Sequence, residues 1–358
     1  MKKLIICICG FISLLVIISC IIILLYSSGI KAVGKSNKEI EFEVLKGNNY
    51  YSIANSLKEK GLIKSELWYK VYLKLNKTKT IKQGIHKLRK NMNIKEIVEE
   101  LSKNAYDPNT LTLTFKEGCN FTDIIDIITT NTNNTEENII NLLNNENYID
   151  KIINKYWFIT EDIRNDKLYY KLEGYLFPDT YQFNNKDVTV EEIFDALLKQ
   201  MDKKLSDYKE AIEKSEYSPH QILTLASIVE LEGVKDEDRA NIAGVFYNRI
   251  SANMNLGSDV TTYYGAKVKL SDRDLTKDEL NEDNGYNTRA SSMTGKLPVG
   301  PISNPGIESI KAVINPNEND YYYFVSDQNK DTYFTKTLNE HNAKIKELKD
   351  SGLWFNYE

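Results

Sequence analysis

The strongest constraint on this chain is an uncharged apolar run close to its N-terminus. Residues 4–26 form a run of 23 residues, nearly all apolar and without a charged side chain. A helix needs about 20 apolar residues to cross a bilayer. Only residues 1–3 precede the run, and they include Lys2 and Lys3, which favours a cytoplasmic N-terminus. The run therefore predicts a single-pass cell-membrane protein whose remaining residues are extracytoplasmic.

A lipoprotein signal is the alternative interpretation of the same run. Ile17-Ile18-Ser19-Cys20 resembles a lipoprotein processing box, in which the cysteine would become the first residue of the mature chain. However, the apolar run continues to Leu25, as a membrane span does. The uncleaved anchor is favoured, and processing at Cys20 stays open.

Charge, cysteines and histidines exclude several other classes of protein. The 46 basic and 51 acidic residues are mixed along the chain and give a net charge of -5, which argues against a nucleic-acid partner. Cys119 is the one cysteine beyond the apolar run, so that part of the chain has no pair for a disulfide or a zinc site. The histidines His86, His220 and His341 are isolated from one another. We therefore expect neither a metal nor a cofactor.

Residues 27–37 are predicted to form a polar linker, and residues 38–104 a small α+β module. Apolar and acidic residues alternate from Ile40 to Val44, as in a half-buried strand. Two helical patterns follow, and then a second strand near residues 81–88. The order strand, helix, helix, strand resembles a LysM-like module. A compact spacer without affinity for sugars is the alternative.

A connector and a larger domain are predicted to follow. In residues 105–165, a strand pattern over 111–115 leads through a turn at Gly118 into a helix, so this part is interpreted as a strand–helix connector subdomain. Its Asn-rich residues 129–155 are interpreted as solvated helices. Residues 166–358 are predicted to form the catalytic domain, with mixed α and β structure.

One helix in that domain carries an isolated carboxylate. Ser218, Pro219 and Gln221 give the pattern of an N-cap, a first-turn proline and a capping box, and Gly233 suits the C-terminus. The residues between are apolar nearly all round, so the helix is expected to be buried. Near its C-terminal end stands Glu230.

Glu230 is predicted to be a catalytic acid/base. Burial and the negative end of the helix dipole both disfavour an ionised carboxylate, and a Glu that stays protonated can donate a proton to a glycosidic oxygen. The competing interpretation is a glutamate at a helix end that faces water. Glu232 lies roughly 200° further around the helix, so both side chains cannot line one cleft. Glu232 is expected to be solvated or structural.

Several sequence blocks resemble the endolytic murein transglycosylase family (MltG/YceG-like). The block Leu225–Glu230 resembles the catalytic-helix motif of that family, and five further blocks follow the family order over nearly the whole chain. These blocks are Leu172–Tyr181, Ala243–Ile250, Ser258–Asp259 with Tyr263–Gly265, Tyr286–Thr288 with Leu297–Gly306, and Tyr323–Val325 with Glu340–Asn342.

The same blocks depart from the family pattern at a few positions. Val299 and Val260 stand where the family usually has proline, and Arg289 replaces an aromatic or small residue. These positions lie beside the expected substrate contacts, so the resemblance leaves subsite preference open.

The polar blocks also suit a cleft for a sugar polymer. Saccharide hydroxyl and N-acetyl groups require fixed donors and acceptors, which loops in the matching blocks could supply. The loop Leu297–Gly306 has three prolines and two glycines, which predicts a rigid segment with exposed backbone. Glu173 and Asp179 are expected to be structural. The predicted substrate-binding residues are Ser258, Asp259, Tyr286, Asn287, Thr288, Pro301 and Asn304.

The resemblance implies a lytic transglycosylase that cleaves the MurNAc–GlcNAc β-1,4 bond of nascent peptidoglycan strands and leaves 1,6-anhydroMurNAc ends. Glu230 would protonate the leaving oxygen and then deprotonate the C6 hydroxyl that attacks C1. Penicillin-binding proteins and other cell-wall synthesis proteins are candidate partners, and termination of strand elongation is a candidate role. A non-catalytic wall-binding scaffold and a hydrolytic muramidase are the alternatives.

Overall fold

A computed structural model of the chain describes residues 2–45, 47–103, 105, 110–269 and 271–354, with side chains from residue 11 onward. The chain divides into two compact units, residues 1–110 and residues 111–358. Helices and strands occur in both units, so the predicted mixed α and β composition is confirmed.

The first unit begins with the apolar helix. Helix α1, Lys2–Gly29, includes an apolar stretch Phe11–Gly29 that is long enough to cross a membrane by length and composition. The helix continues past residue 26 into the predicted linker. The residues after the helix are hydrogen-bonded to the module that follows. The Ile94 N–H donates to the Ile30 carbonyl at 3.0 Å, and the Gly34 N–H donates to the Lys90 carbonyl at 2.9 Å.

The remainder of this unit has the predicted order of strand, helix, helix and strand, followed by one more helix. Strands β1 and β2 are antiparallel, with Phe42 opposite His86. Phe42, Leu57 and Tyr69 are among the residues that bury the core between the strands and the helices. The elements are β1 Glu39–Val44, α2 Ala54–Glu59, α3 Glu66–Leu75, β2 Gly84–Arg89 and α4 Ile94–Leu101.

The second unit is mainly helical, with two short antiparallel ladders among its described residues. Its first elements are β3 Leu111–Thr114, α5 Phe121–Asn131, α6 Glu136–Leu143, α7 Glu146–Lys155, β4 Thr180–Phe183, α8 Val190–Leu205, α9 Lys209–Glu213 and α10 Pro219–Glu232. The later elements are α11 Asp236–Ser251, α12 Asp259–Gly265, α13 Lys277–Asn281, α14 Ile307–Ile314, β5 Tyr323–Ser326, β6 Thr332–Thr335 and α15 Leu338–Asp350. Short 3₁₀ turns lie at Glu161–Arg164, Ser206–Tyr208 and Ser291–Met293.

Helix α10 lies in the core of this unit, as predicted. The Ser218 side chain accepts from the Gln221 N–H in a capping box, Pro219 occupies the first turn, and Gly233 ends the helix. Residues 222–229 are all buried. Helices α11 and α14 pack against α10.

The interpretation of residues 129–155 as solvated helices is wrong in one respect. Helices α6 and α7 expose one face, but Ile139, Ile149 and Ile152 are buried in the main core. Their polar Asn residues concealed an apolar side at helical spacing. Strand β3 pairs with β4, so the ladder joins residues on the two sides of the boundary predicted at residue 165.

Candidate active site

The last turn of α10 presents two carboxylates to different surroundings. Glu232 is two positions after Glu230, which places the two side chains roughly 200° apart on a helix. The predicted divergence of the two side chains is therefore present. Each carboxylate has its own set of neighbours, contributed by different parts of the second unit.

Glu230 is enclosed by a polar cluster. Its Oε2 accepts from the Gly306 N–H at 2.8 Å and from the Ser309 hydroxyl at 2.8 Å. The same oxygen lies 2.9 Å from Nη1 of Arg239, and the two side chains are only 6% and 10% exposed. Helices α10, α11 and α14 thus meet at Glu230, which fixes the carboxyl group in one orientation.

A further carboxylate lies next to this cluster. The Glu117 carboxyl packs so closely over Gly306 that a Cβ there would lie 2.0 Å from Glu117 Oε1. Burial raises the pKa of Glu117, and the charge of Glu230 adds to that rise, while Arg239 opposes it. The Glu230 side of α10 therefore holds two acidic groups around one buried guanidinium.

Glu232, in contrast, lines an open cavity of about 740 Å³. Its Oε1 accepts from the Ser258 hydroxyl at 2.6 Å, and no residue in the described ranges donates to its Oε2. Glu232 was expected to be solvated or structural; it is partly buried and faces this cavity. The other lining residues include Phe246, Arg249, Asp259, Tyr263, Arg289, Phe324, His341 and Trp354.

The environment of Glu232 suits proton donation. Burial raises its pKa, and the nearby charge of Asp259 adds to the rise. The Ser258 hydrogen bond, Arg249 and Arg289 act in the opposite direction. A glutamate whose pKa is raised in a cavity can remain protonated closer to neutral pH, and its free oxygen is the one that a substrate atom could reach.

Cationic side chains stand around the same cavity. Arg249 donates from Nε to the Tyr322 carbonyl at 2.6 Å, and its guanidinium lies 5.1 Å from the centre of the Tyr323 ring. Arg289 forms an ion pair with Asp259 at the rim. These contacts hold positive charge close to Glu232 without occupying its carboxylate.

His341 forms part of the cavity wall. Its ring stacks on Tyr323 with centroids 5.4 Å apart, and its buried Nδ1 has no partner among the described residues. Burial lowers the pKa of His341, and Arg249 adds to the decrease, so the ring is neutral near physiological pH.

Two of the predicted substrate contacts reach the cavity. Ser258 holds Glu232, and Asp259 is an exposed rim residue. Thr288 lies behind them, where its hydroxyl accepts from the Ser258 N–H at 3.0 Å. Ser258 and Asp259 thus adjoin Glu232, whereas Thr288 supports the loop that carries them.

The remaining predicted contacts are internal to the protein. The Tyr286 hydroxyl accepts from the Tyr169 N–H at 3.2 Å, and the Asn287 amide donates to the Glu282 carbonyl at 2.8 Å. Both side chains are fully buried. In this conformation they contact protein rather than solvent, and direct contact with a saccharide stays a prediction.

Asn304 and Pro301 belong to the same internal group. Asn304 donates to the Cys119 carbonyl at 3.0 Å and to Glu173 Oε1 at 3.2 Å. Pro301 packs on Gly174, where a Cβ would come within 2.3 Å of the proline ring. Burial raises the pKa of Glu173 to about 8. These contacts join the Leu297–Gly306 loop to the Leu172–Tyr181 block, which agrees with a structural role for Glu173.

The structure describes no group of three or more His, Cys, Asp or Glu side chains that could hold a metal ion within residues 2–45, 47–103, 105, 110–269 and 271–354. The expectation of no metal and no cofactor stays a prediction. The groups that surround Glu232 can donate and accept protons and can bind anionic or hydroxyl-bearing ligands.

Known proteins are similar to this chain over most of its length. The model of the YceG-like family matches residues 42–347. The endolytic murein transglycosylase of Bacillus subtilis (strain 168) is 36% identical over 313 residues, covering 87% of this chain and 85% of that protein. The protein of the same name from Streptococcus pneumoniae serotype 2 (strain D39 / NCTC 7466) is 32% identical over 334 residues, covering 89% of this chain and 60% of that protein.

A solved structure shares the fold. The crystal structure of a yceG-like protein of Listeria monocytogenes has a TM-score of 0.61 and 31% sequence identity, and the match covers 86% of this chain and 99% of that chain.

Proposed function

The chain belongs to the YceG-like family, and we propose that it is an endolytic transglycosylase that cleaves peptidoglycan glycan strands at the MurNAc–GlcNAc bond. The observation that carries the chemistry is the cavity of about 740 Å³ with Glu232 in its wall. A buried acid beside an open space of this size can meet a sugar polymer, whereas a carboxylate enclosed by protein cannot.

Glu232 is the acid/base of the proposed mechanism. Its carboxylic acid donates a proton to the glycosidic oxygen as the bond from C1 of MurNAc breaks. The resulting carboxylate then accepts the proton of the C6 hydroxyl of the same sugar as that oxygen attacks C1. The products are a 1,6-anhydroMurNAc end and a new GlcNAc end, and Glu232 is again protonated.

The proposed catalytic residue is thus Glu232 and not Glu230, the residue predicted from the sequence. Glu230 was predicted because it stands near the C-terminal end of a buried helix and lies within the matching helix block. Its Oε2 is occupied by Arg239, Gly306 and Ser309, and Glu230 does not line the cavity that holds Glu232. A catalytic Glu230 remains a prediction from sequence, and the geometry supports Glu232.

Hydrolysis is the second candidate reaction, and Asp259 is the observation that favours it. Asp259 lines the same cavity as Glu232. Glycosidases that hydrolyse the bond with water usually have a pair of catalytic carboxylates. Asp259 forms an ion pair with Arg289 at the rim. A hydrolytic muramidase would leave reducing MurNAc ends in place of anhydro ends.

The first unit supports an anchored, wall-facing enzyme. We take α1 as a membrane span with the module outside the cell, on the evidence of its length, its apolar sequence and the Lys2 and Lys3 that precede the apolar run. The order β1, α2, α3, β2 supports a LysM-like shape for the module. An enzyme at this location acts within reach of the membrane-bound synthases that extend the strands, which supports those synthases as partners.

The test is product analysis with the full-length protein in detergent or liposomes. Uncross-linked glycan strands are incubated with the wild type or with the Glu232→Gln variant as the inactive control. The chain ends are then identified by mass spectrometry. We expect anhydroMurNAc ends from internal cleavage. Reducing MurNAc ends would replace the transglycosylase by a muramidase. No new ends from a protein that binds glycan would support the scaffold alternative.

A further inference from the structure

Helix α3 of the first unit carries an apolar stripe that its own module does not cover. Leu67 and Leu75 are 62% and 68% exposed, and Val71 between them is partly exposed. At about 100° per residue, these three positions fall within one strip of the helix surface. Tyr69 and Leu73, on the opposite side, are buried in the core of the module.

The stripe borders the end of the apolar anchor. Trp68, next to Leu67, packs edge-to-face on Tyr26 of α1 with ring centroids 5.9 Å apart. The Trp68 ring also covers Gly29, where a Cβ would lie 2.2 Å from the indole. The contact thus sits where the apolar stretch Phe11–Gly29 ends. Trp and Tyr side chains favour this depth at a membrane surface.

Lysines flank the stripe on its other side. Lys70 and Lys74 lie beside it on α3, and Lys70 is paired with Glu66 at 3.2 Å. Lys64, just before the helix, donates to the Ser28 carbonyl at 3.2 Å. Long basic side chains around an exposed apolar strip are typical of helices that lie in the headgroup layer of an anionic bilayer.

We propose that α3 is an interfacial helix, whose face of Leu67, Val71 and Leu75 rests in the headgroup and upper acyl layer of the membrane that α1 crosses. The proposal rests on the anchor being a membrane span, and it adds a second contact with the same bilayer. Both α1 and α3 then hold the module at the lipid surface, whereas without the α3 contact α1 alone would attach it to the membrane.

Depth-dependent fluorescence tests this contact. The full chain is reconstituted in vesicles of equal parts phosphatidylglycerol and phosphatidylcholine, brominated near the top of the acyl chains. Trp68, Trp157 and Trp354, the three native tryptophans, are replaced by Phe, and one tryptophan is introduced by Leu67→Trp, Leu75→Trp or, as the control, Tyr51→Trp. Tyr51 is also exposed but lies on the turn before α2.

We expect bromolipid to quench both α3 tryptophans at least about twofold more strongly than the Tyr51→Trp control. Equal quenching at all three positions, or quenching of the α3 positions by an aqueous quencher alone, would overturn the proposal. Wild-type protein labelled by a photoreactive phospholipid gives a measurement without substitutions, and label should appear on residues 66–75. Failure of the protein to float with vesicles would instead contradict the anchor itself.

Discussion

The two sides of the last turn of α10 differ in whether the carboxylate is enclosed by protein or faces an open cavity. On one side, Arg239, Gly306 and Ser309 converge on a single oxygen of Glu230. On the other, Glu232 accepts a hydrogen bond from Ser258 and faces a cavity. Two residues of the same type in the same turn thus acquire different chemistry from their neighbours, since one is held and the other is free to react.

The largest expected effect is the loss of activity in Glu232→Gln. An amide cannot donate or accept the catalytic proton, and general acid–base assistance is worth about 10²–10⁴-fold in rate. Glu230→Gln, the matched control in the same turn, should reduce the rate less than about tenfold because it alters only the enclosed cluster. The rates of the two variants are compared by counting anhydroMurNAc ends over time, and thermal melts show whether each variant is folded. The reverse order of the two variants would return the catalytic role to Glu230.

The second largest effect is expected on the stability of the fold, on the side of α10 where Glu230 is enclosed. Arg239→Met would leave the Glu230 carboxylate buried without a cation, which typically costs about 3–5 kcal/mol of unfolding free energy. Adding Glu230→Gln to the same protein should recover part of that loss, because a neutral amide needs no cation. Denaturant unfolding of the single and double variants measures the loss of unfolding free energy and its recovery. An equal loss in the double variant would show that Arg239 stabilises the fold mainly through other contacts.

A third test concerns Glu173, which is enclosed like Glu230 but lacks an ion pair in the described part of the chain. Its pKa is raised to about 8, so the folded state holds a proton that the unfolded state releases near the ordinary value of 4.5. The associated stability is complete below about pH 4.5 and is lost as pH rises through about 8. The wild type should therefore lose on the order of a few kcal/mol over this range.

Glu173→Gln is the control for that slope. The amide stays neutral at every pH, so the melting temperature of this variant should fall less between pH 5 and 8 than that of the wild type, whatever its absolute stability. Parallel pH profiles would mean that other groups cause the decline, and that enclosure without a cation does not keep Glu173 protonated.

The smallest effect is expected for Ser258→Ala, on the open side. Its hydroxyl donates to Glu232 Oε1, which favours the ionised form. Without this bond the pKa of Glu232 should rise further, so the high-pH limb of the activity profile should move upward, by about one pH unit at most. Activity against pH for both proteins measures the shift. A downward shift would mean that Ser258 stabilises the protonated acid instead.

Local signals in the sequence predicted much of the secondary structure and its limits. The apolar run gave α1, and Ser218, Pro219 and Gly233 gave the two ends of α10. These features depend on hydrogen bonds and apolar contacts within a few residues, so the local sequence contains them. The Asn-rich helices were the exception: the apolar spacing of their Ile side chains is local, but the elements that bury these side chains lie elsewhere along the chain.

The candidate site could be predicted only in part. The matching blocks identified the helix and the loop of Ser258 and Asp259 beside the cavity. They also included Tyr286 and Asn287, whose side chains turn inward and bond to protein atoms. A polar residue in a loop has the same sequence signature in either case, since its orientation is decided by the packing of the loop.

The sequence by itself determined that α10 is a buried helix that ends with two carboxylates on different sides. It could not determine which side opens to solvent, because a helix that is apolar nearly all round has no polar face to indicate it. Tertiary structure decided that point. Helices α11 and α14 close over Glu230, whereas the 256–260 segment, β5 and α15 leave a cavity in front of Glu232. All of these except α11 lie far from α10 along the chain and meet it only in the folded protein.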